Sequence, residues 1–368
     1  MQSMYSIRNL FCLRCRGGIK RNPSAIKYVA RALVVAAFLC LSVWGTVTRV
    51  AYQPDDRFSW LRHNRDVRRF LRPDESTSLL HPSLNCKPGL RLLLLVTSAP
   101  GNAAQRQAVR DTWGYVAAPL RTRLLFFLGH DGKDPPHSTT EVMLEAQRYG
   151  DIIVEDFVDN YYNLTLKTLF MLKWTLQHCD TASFILKTDD DMLINVKALL
   201  QHLEDSSFRA SQPLIIGRIQ EGAPPYRDTS SKWYLPYWLY ERTTFPTFAS
   251  GTGYIITRGA VSEVYKTCLV TPFLPLEDVF VTGLVGNEKL GIPMINTQQF
   301  RNDKPHYIEH PCLFHHLLMA HELTPVQLKR IWTSLKSLKP ATCHSLYAHL
   351  LAYIFGTGEY EVIANVTW

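Results

Sequence analysis

LLLLVTSAPGNAAQRQAVRDTWG, residues 92–114, is the stretch on which the fold turns. Leu92 to Thr97 is an apolar run of strand length. Ala103 to Trp113 then has helix length and an amphipathic pattern. Working outward, the alternation repeats, with strand candidates at Leu124 to Leu128, Ile152 to Val154 and Phe184 to Leu186. Helix candidates lie between them at Thr139 to Tyr149 and Leu164 to Gln177, the latter carrying Leu166, Leu169, Phe170 and Trp174 on one side. Such β-α-β-α order predicts an α/β domain built on a mostly parallel sheet with helices on both faces. No GxGxxG or Walker-type loop follows the first strand, so the usual glycine cradles for dinucleotides and ATP are missing.

In open parallel sheets ligands collect beyond the carboxyl ends of the strands. Phe184-Ile185-Leu186 runs directly into Lys187-Thr188-Asp189-Asp190-Asp191, which puts three adjacent carboxylates at such an end. Their mutual repulsion is relieved by a hard divalent cation, Mn²⁺ or Mg²⁺, that also takes substrate phosphate oxygens; a solvated acidic turn is the plainer alternative. A second pair, Glu277-Asp278, is flanked by apolar residues, and partial burial raises a carboxylate's pKa toward general-base work. A helix N-cap explains that pair equally well. Ser250-Gly251-Thr252-Gly253-Tyr254 offers a backbone that a ligand can approach, or an ordinary turn. Trp233, Tyr234, Tyr237, Trp238 and Tyr240 supply flat faces for sugar rings or for core packing. Arg106 and Arg110, one helical turn apart, are placed to face a diphosphate if they are not simply solvated. His321 stands alone in the sequence.

The formal net charge of the 368 residues is +8, but seven basic and no acidic residues precede Ala32, leaving 33 basic against 32 acidic in the rest. A near-neutral body argues against a nucleic-acid partner. The basic tail, residues 1–31, ends at an uncharged apolar stretch, residues 32–48, read as a single short membrane anchor. Positive residues before the span put the N-terminus in the cytoplasm and the remainder in the lumen. Residues 49–90, charged and punctuated by Pro54, Pro73, Pro82 and Pro88, read as a stem, and residues 91–368 as the catalytic domain. Five cysteines follow the span, enough for two disulfides and one free thiol with connectivity unreadable. Asn163-Leu164-Thr165 and Asn365-Val366-Thr367 are N-glycosylation sequons that suit a lumenal location.

Seven blocks, RQAVRDTWG (106–114), FFLG (126–129), DIIVEDFVDNYYNLTLKTL (151–169), FILKTDDD (184–191), SKWY (231–234), FASGTGYI (248–255) and LEDVFVTGL (276–284), together resemble the β-1,3-galactosyltransferase and β-1,3-N-acetylglucosaminyltransferase family of type II Golgi enzymes. The resemblance spans about Leu92 to Ser334. It implies a GT-A type, Rossmann-like fold and inverting transfer from a UDP-sugar to an acceptor 3-hydroxyl, with Mn²⁺ as cofactor. It further implies Asp191 as metal ligand with His321 completing the shell, and Asp189 and Asp190 near ribose and diphosphate. Arg106, Arg110, Gly251 and Gly253 fall at the donor, Asp278 at the base position, and Trp233, Tyr234 and Glu277 on the acceptor side. The SGTGY and LEDV forms look more like the galactosyltransferases, which favours UDP-galactose over UDP-N-acetylglucosamine, with a glycan of a glycoprotein or glycolipid as acceptor. Ala249 stands where many galactosyltransferases carry cysteine, and Cys268 follows instead. An inactive sugar-binding relative and a metal-dependent phosphohydrolase are the competing classes.

Overall fold

The computed structural model describes residues 28, 31–42, 57–82, 86–117, 121–132, 140–206, 208–303, 311–315 and 317–337. The chain divides into two compact units, Met1–Ser59 and Trp60–Trp368. In the first, residues 31–42 form a helix with exposed side chains. No helix among the described residues is long and apolar enough to cross a membrane. Residues 43–48 of the expected span lie outside the described residues, as does Asn365.

The second unit is built on strands β1 (Ser78–Leu80), β2 (Leu92–Thr97), β3 (Thr122–His130), β4 (Ile152–Val158), β5 (Phe184–Asp189), β6 (Leu193–Ile194), β7 (Ile215–Gln220), β8 (Phe248–Thr257), β9 (Met294–Asn296) and β10 (Met319–Ala320). Eight form one sheet in the order β1-β4-β3-β2-β5-β8-β7-β9, while β6 and β10 pair separately. β2 is buried along its whole length and runs parallel to both neighbours, β3 and β5, which is why it reads as an unbroken apolar run. Beyond β5 the sheet changes sense: β8 is antiparallel to β5 and to β7, and β1 is antiparallel to β4. The sheet is therefore mixed, with its expected parallel part confined to β4-β3-β2-β5 and the β7-β9 pair.

The main helices are α1 (Ala103–Val109), α2 (Thr140–Tyr149), α3 (Leu164–His178), α4 (Val196–Asp205), α5 (Arg258–Leu269) and α6 (Pro325–Ser337). Alternate residues of the central strands face opposite layers. Leu92, Leu94 and Val96 join a core with Trp113 and with Leu328, Ile331 and Trp332 of α6. On the other face Leu95 and Ile185 meet Met171 and Leu172 of α3. Each such fully buried aliphatic side chain contributes about 1.5–3 kcal/mol. α3 is buried from Thr165 through Thr175, Lys167 and Lys173 included, so it is covered on more than the single apolar side expected of it. The helix predicted to reach Trp113 leaves α-geometry at Arg110, where a π-wound turn to Gly114 kinks at Thr112.

The expected stem boundary does not coincide with the folded unit. Residues 60–82 belong to the second unit: Leu61, Val67 and Leu71 are buried, and β1 pairs with β4. The Lys173 ammonium of α3 bonds the carbonyls of Leu71, Arg72 and Glu75 and the Thr77 hydroxyl at 2.7–3.1 Å. Apolar anchors this widely spaced among charges give no periodicity to read. A disulfide joins Cys86 to Cys179 at the end of α3, Cys312 is also disulfide-bonded, and Cys268 is a buried free thiol.

Candidate active site

The parallel register sets Thr97, the last residue of β2, beside Asp189, the last of β5, so the β2–α1 loop faces the acidic run. The Thr97 hydroxyl donates to Asp189 Oδ1 at 2.6 Å. Ser98 Oγ and Asn102 Nδ2 both donate to Asp190 Oδ2, at 2.7 and 3.0 Å. Burial raises the Asp190 carboxyl to about 6 against the lowering effect of those two donors. Asp190 thereby binds the loop, leaving Asp189 and Asp191 to point elsewhere.

β10 brings in the distant histidine. It pairs antiparallel with β6, Ala320 opposite Leu193, which carries His321 back toward Asp191, and the Leu323 amide donates to the Asp191 carbonyl at 3.0 Å. His321 Nε2 lies 3.4 Å from Asp191 Oδ2, and Nδ1 is 3.2 Å from the Asn302 carbonyl. Burial opposes the imidazolium charge, but the facing carboxylates, Asp191 foremost, outweigh it and raise the His321 pKa. One ligand atom each from Asp189, Asp191 and His321 falls within 4.8 Å of the others. Asp191 Oδ1 is buried and takes no hydrogen bond. An orphaned carboxylate oxygen among two aspartates and an Nδ1-anchored imidazole fits a hard divalent ion such as Mn²⁺ or Mg²⁺.

A second acidic group closes the other side. Glu277 and Asp278 precede a π-wound helix, Val279–Lys289. Asp278 accepts from the amides of Val279 and Gly251, at 2.9 and 3.0 Å. Glu277 accepts from the Tyr254 hydroxyl at 2.5 Å. Burial raises the pKa of both carboxyls, for Asp278 against the two amides and the nearby Lys187 charge. Lys187 joins the two halves of the site: its ammonium is 2.9 Å from Asp189 Oδ1, 3.5 Å from Glu277 Oε2 and 2.5 Å from the Gly251 carbonyl. Tyr161 stands at the open side, its phenol pushed up to about 12 by burial and by the Asp278 charge, and it hydrogen-bonds Trp233. Trp233 is 42% exposed, its ring 5.1 Å from Tyr226, with the Lys232 ammonium 4.8 Å above it. Tyr234, expected beside it, bridges to Tyr226 through the backbone.

Several expected donor contacts are differently placed. All five N–H donors of the fully buried Arg106 are taken, by Glu145 twice, Ser98 Oγ and the carbonyls of Ala99 and Pro100, so none is left for a phosphate. Arg110 pairs with Asp151 and Glu145 and lies 4.0 Å from the Tyr149 ring centroid. Glu145 and Asp151 lie 35 or more residues along the chain, out of reach of a local reading of that helix. Gly251 and Gly253 are crowded by protein rather than open to a ligand: a Cβ would sit 3.2 Å from Asp278 Oδ2 at the first and 2.2 Å from Met319 Cε at the second. Glu277, assigned to the acceptor side, is buried against Tyr254 and Lys187. The Asn163 amide donates to the Val158 carbonyl, and the Thr165 hydroxyl of that sequon is buried on the Leu274 carbonyl. Thr97, Ser98, Asn102, Tyr161, Lys187 and Tyr254 take no individual role from the sequence; Tyr161, Lys187 and Tyr254 lie inside blocks quoted above, and apart from the local pair of Lys187 with Asp189 the partners of the six are distant in the chain.

Known proteins bear on this arrangement. A family model described as Galactosyltransferase matches residues 104–298, which includes both acidic groups. Human Beta-1,3-galactosyltransferase 1 is 35% identical over 276 residues, 74% of this chain and 82% of its own. Mouse N-acetyllactosaminide beta-1,3-N-acetylglucosaminyltransferase 4 is 33% identical over 274 residues, 72% of this chain and 76% of its own. A solved glycosyltransferase involved in the glycosylation of the major capsid of PBCV-1 superposes on 66% of the chain and 98% of its own with a TM-score of 0.38 and 9% identity, too loose to argue from. The match through both carboxylate groups, with a third or more of residues shared along most of each relative, places the chain in the galactosyltransferase family.

Proposed function

We propose that this chain is an inverting β-1,3-galactosyltransferase of GT-A type that moves galactose from UDP-galactose to the 3-hydroxyl of a glycan on a glycoprotein or glycolipid. The observation that carries the reading is the joining, through Lys187 and Gly251, of a cation-ready set, Asp189, Asp191 and His321, to the half-buried carboxylate Asp278. Asp278 accepts the proton of the acceptor hydroxyl as its oxygen bonds to the anomeric carbon from the face opposite UDP. The bond to the diphosphate oxygen breaks, its electron pair leaves with UDP, and the anomeric configuration inverts. A carboxylate with a raised pKa is the stronger base, and the amides of Gly251 and Val279 orient it without neutralising it. Asp189, Asp191 and His321 would hold a divalent ion, which would supply positive charge to the departing diphosphate. Trp233 and Tyr161 offer the acceptor sugar its flat contact.

The basic tail and the apolar residues 32–48 support residence in the Golgi membrane as a single-pass type II protein, and the donor set of two aspartates and an imidazole supports Mn²⁺ as the ion. Transfer from UDP-N-acetylglucosamine is the second reading, favoured by the 33% identity to the mouse N-acetylglucosaminyltransferase. The full chain, purified in detergent and given each UDP-sugar with a β-linked sugar acceptor, separates the two. Asp278→Asn should abolish transfer while UDP still binds; retained turnover would remove Asp278 as the base.

A further inference from the structure

Lys187 is the one lysine or arginine within 4 Å of either Asp189 or Glu277 among the described residues, and it is buried, beyond reach of a sugar or phosphate. β5 and β8 put it opposite Tyr254, so that its stem runs beneath the site and its ammonium ends between the two acidic groups. Of its three partners the Gly251 carbonyl is the informative one. The amide of that same residue donates to Asp278 Oδ2, so one glycine is held by Lys187 through its oxygen and holds Asp278 through its nitrogen. A Cβ at Gly251 would stand 3.2 Å from Asp278 Oδ2 and 3.3 Å from its Cβ, which shows how closely the strand must approach the carboxylate.

We propose that Lys187 is a positioning residue that fixes Asp278 through Gly251 and ties the strand end bearing Asp189 to the Glu277-Asp278 pair, so that cation site and base keep one spacing. The charge matters as well as the reach. Asp278 is faced by Lys187, Glu277, Tyr161 and Tyr254, of which Lys187 alone is cationic and favours its ionised form. The inference rests on Asp278 being the base, and the test keeps the two apart.

The full chain in detergent carries Lys187→Met, Asp278→Asn, Glu277→Gln, or Lys187→Met with Glu277→Gln, and transfer from UDP-galactose to p-nitrophenyl β-N-acetylglucosaminide is followed against pH. Lys187→Met should lower kcat about 100-fold, as expected of a misplaced reacting group, with the KM for UDP-galactose changed less than threefold. The acid limb of its kcat/KM profile should move upward, a change that looser packing alone does not produce. An unmoved limb, or a loss confined to donor KM, overturns the proposal. Full turnover by Asp278→Asn would instead discard the base and leave Lys187 without this role. Should Lys187→Met fail to fold with Asp189 and Glu277 uncompensated, the double variant removes cation and carboxylate together. It should fold and stay about 100-fold slow, because Gly251 is still untethered; recovery to within threefold of Glu277→Gln alone overturns the proposal.

Discussion

Replacing Arg106 by methionine separates two accounts of that residue, a diphosphate ligand or a staple for the loop before α1. The side chain is fully buried, and its five bonds go to Glu145, Ser98 and the carbonyls of Ala99 and Pro100. Glu145 would keep Arg110 at 2.7 Å, so its charge is not abandoned, but the two carbonyls lose their charged donor in a place closed to water. Removing one partner of a buried, hydrogen-bonded ion pair costs about 3–5 kcal/mol. For a domain of this size that lowers Tm by about 6–20 °C, read by scanning calorimetry without donor. Because Ser98 also holds Asp190, kcat should fall with stability, and Arg106→Lys should recover part of both by restoring the pair with Glu145. A methionine variant that melts within about 1 °C of the parent while its donor KM rises tenfold would refute this reasoning and return Arg106 to the diphosphate.

The elements that reading found are those whose reasons are local. β2 and the first half of β5, Phe184 to Leu186, are legible because a strand covered on both faces favours an unbroken apolar run. α3 is legible to within a residue from its apolar run, and a 3-10 turn, Tyr161–Asn163, leads into it, capped by the Asn160 side chain, which accepts from the amides of Tyr162 and Asn163. Gly251 and Gly253 make residues 250–254 of β8 read as a ligand-approachable backbone or an ordinary turn, yet both glycines let Asp278 and Met319 lie against a strand. Asp189 to Asp191 were legible as an acidic cluster, but which of them turns inward was not, since Ser98, Asn102 and His321 select between them from far along the chain. Only the family resemblance pointed to His321, because a strand pair of two residues each, β6 with β10, leaves no sequence pattern. The ion pairs of Arg106 and Arg110 are illegible for the same cause: spacing predicts which side chains share a helix face, and says nothing of what that face meets.

Burial raises the Asp278 carboxyl, and a base works ionised, so kcat/KM should fall as pH drops through a limb lying above the ordinary carboxylate value of about 4. A profile flat down to pH 4 would exclude Asp278 from the rate. His321→Ala should weaken Mn²⁺ binding, titrated by the ion's electron paramagnetic resonance, by at least the roughly 10–100-fold that even outer-shell changes cause; unchanged affinity would place the ion elsewhere. Lys173→Met tests whether residues 60–82 are part of the fold or a tether. That ammonium is buried against three carbonyls and the Thr77 hydroxyl, so methionine leaves a set of acceptors facing an apolar chain. Each buried carbonyl left unpaired costs about 1–3 kcal/mol, enough to free the segment without unfolding the sheet. Limited proteolysis should then cut between Leu71 and Thr77, where the parent resists. Equal resistance of the two proteins would mean that β1 pairing with β4 holds the segment unaided.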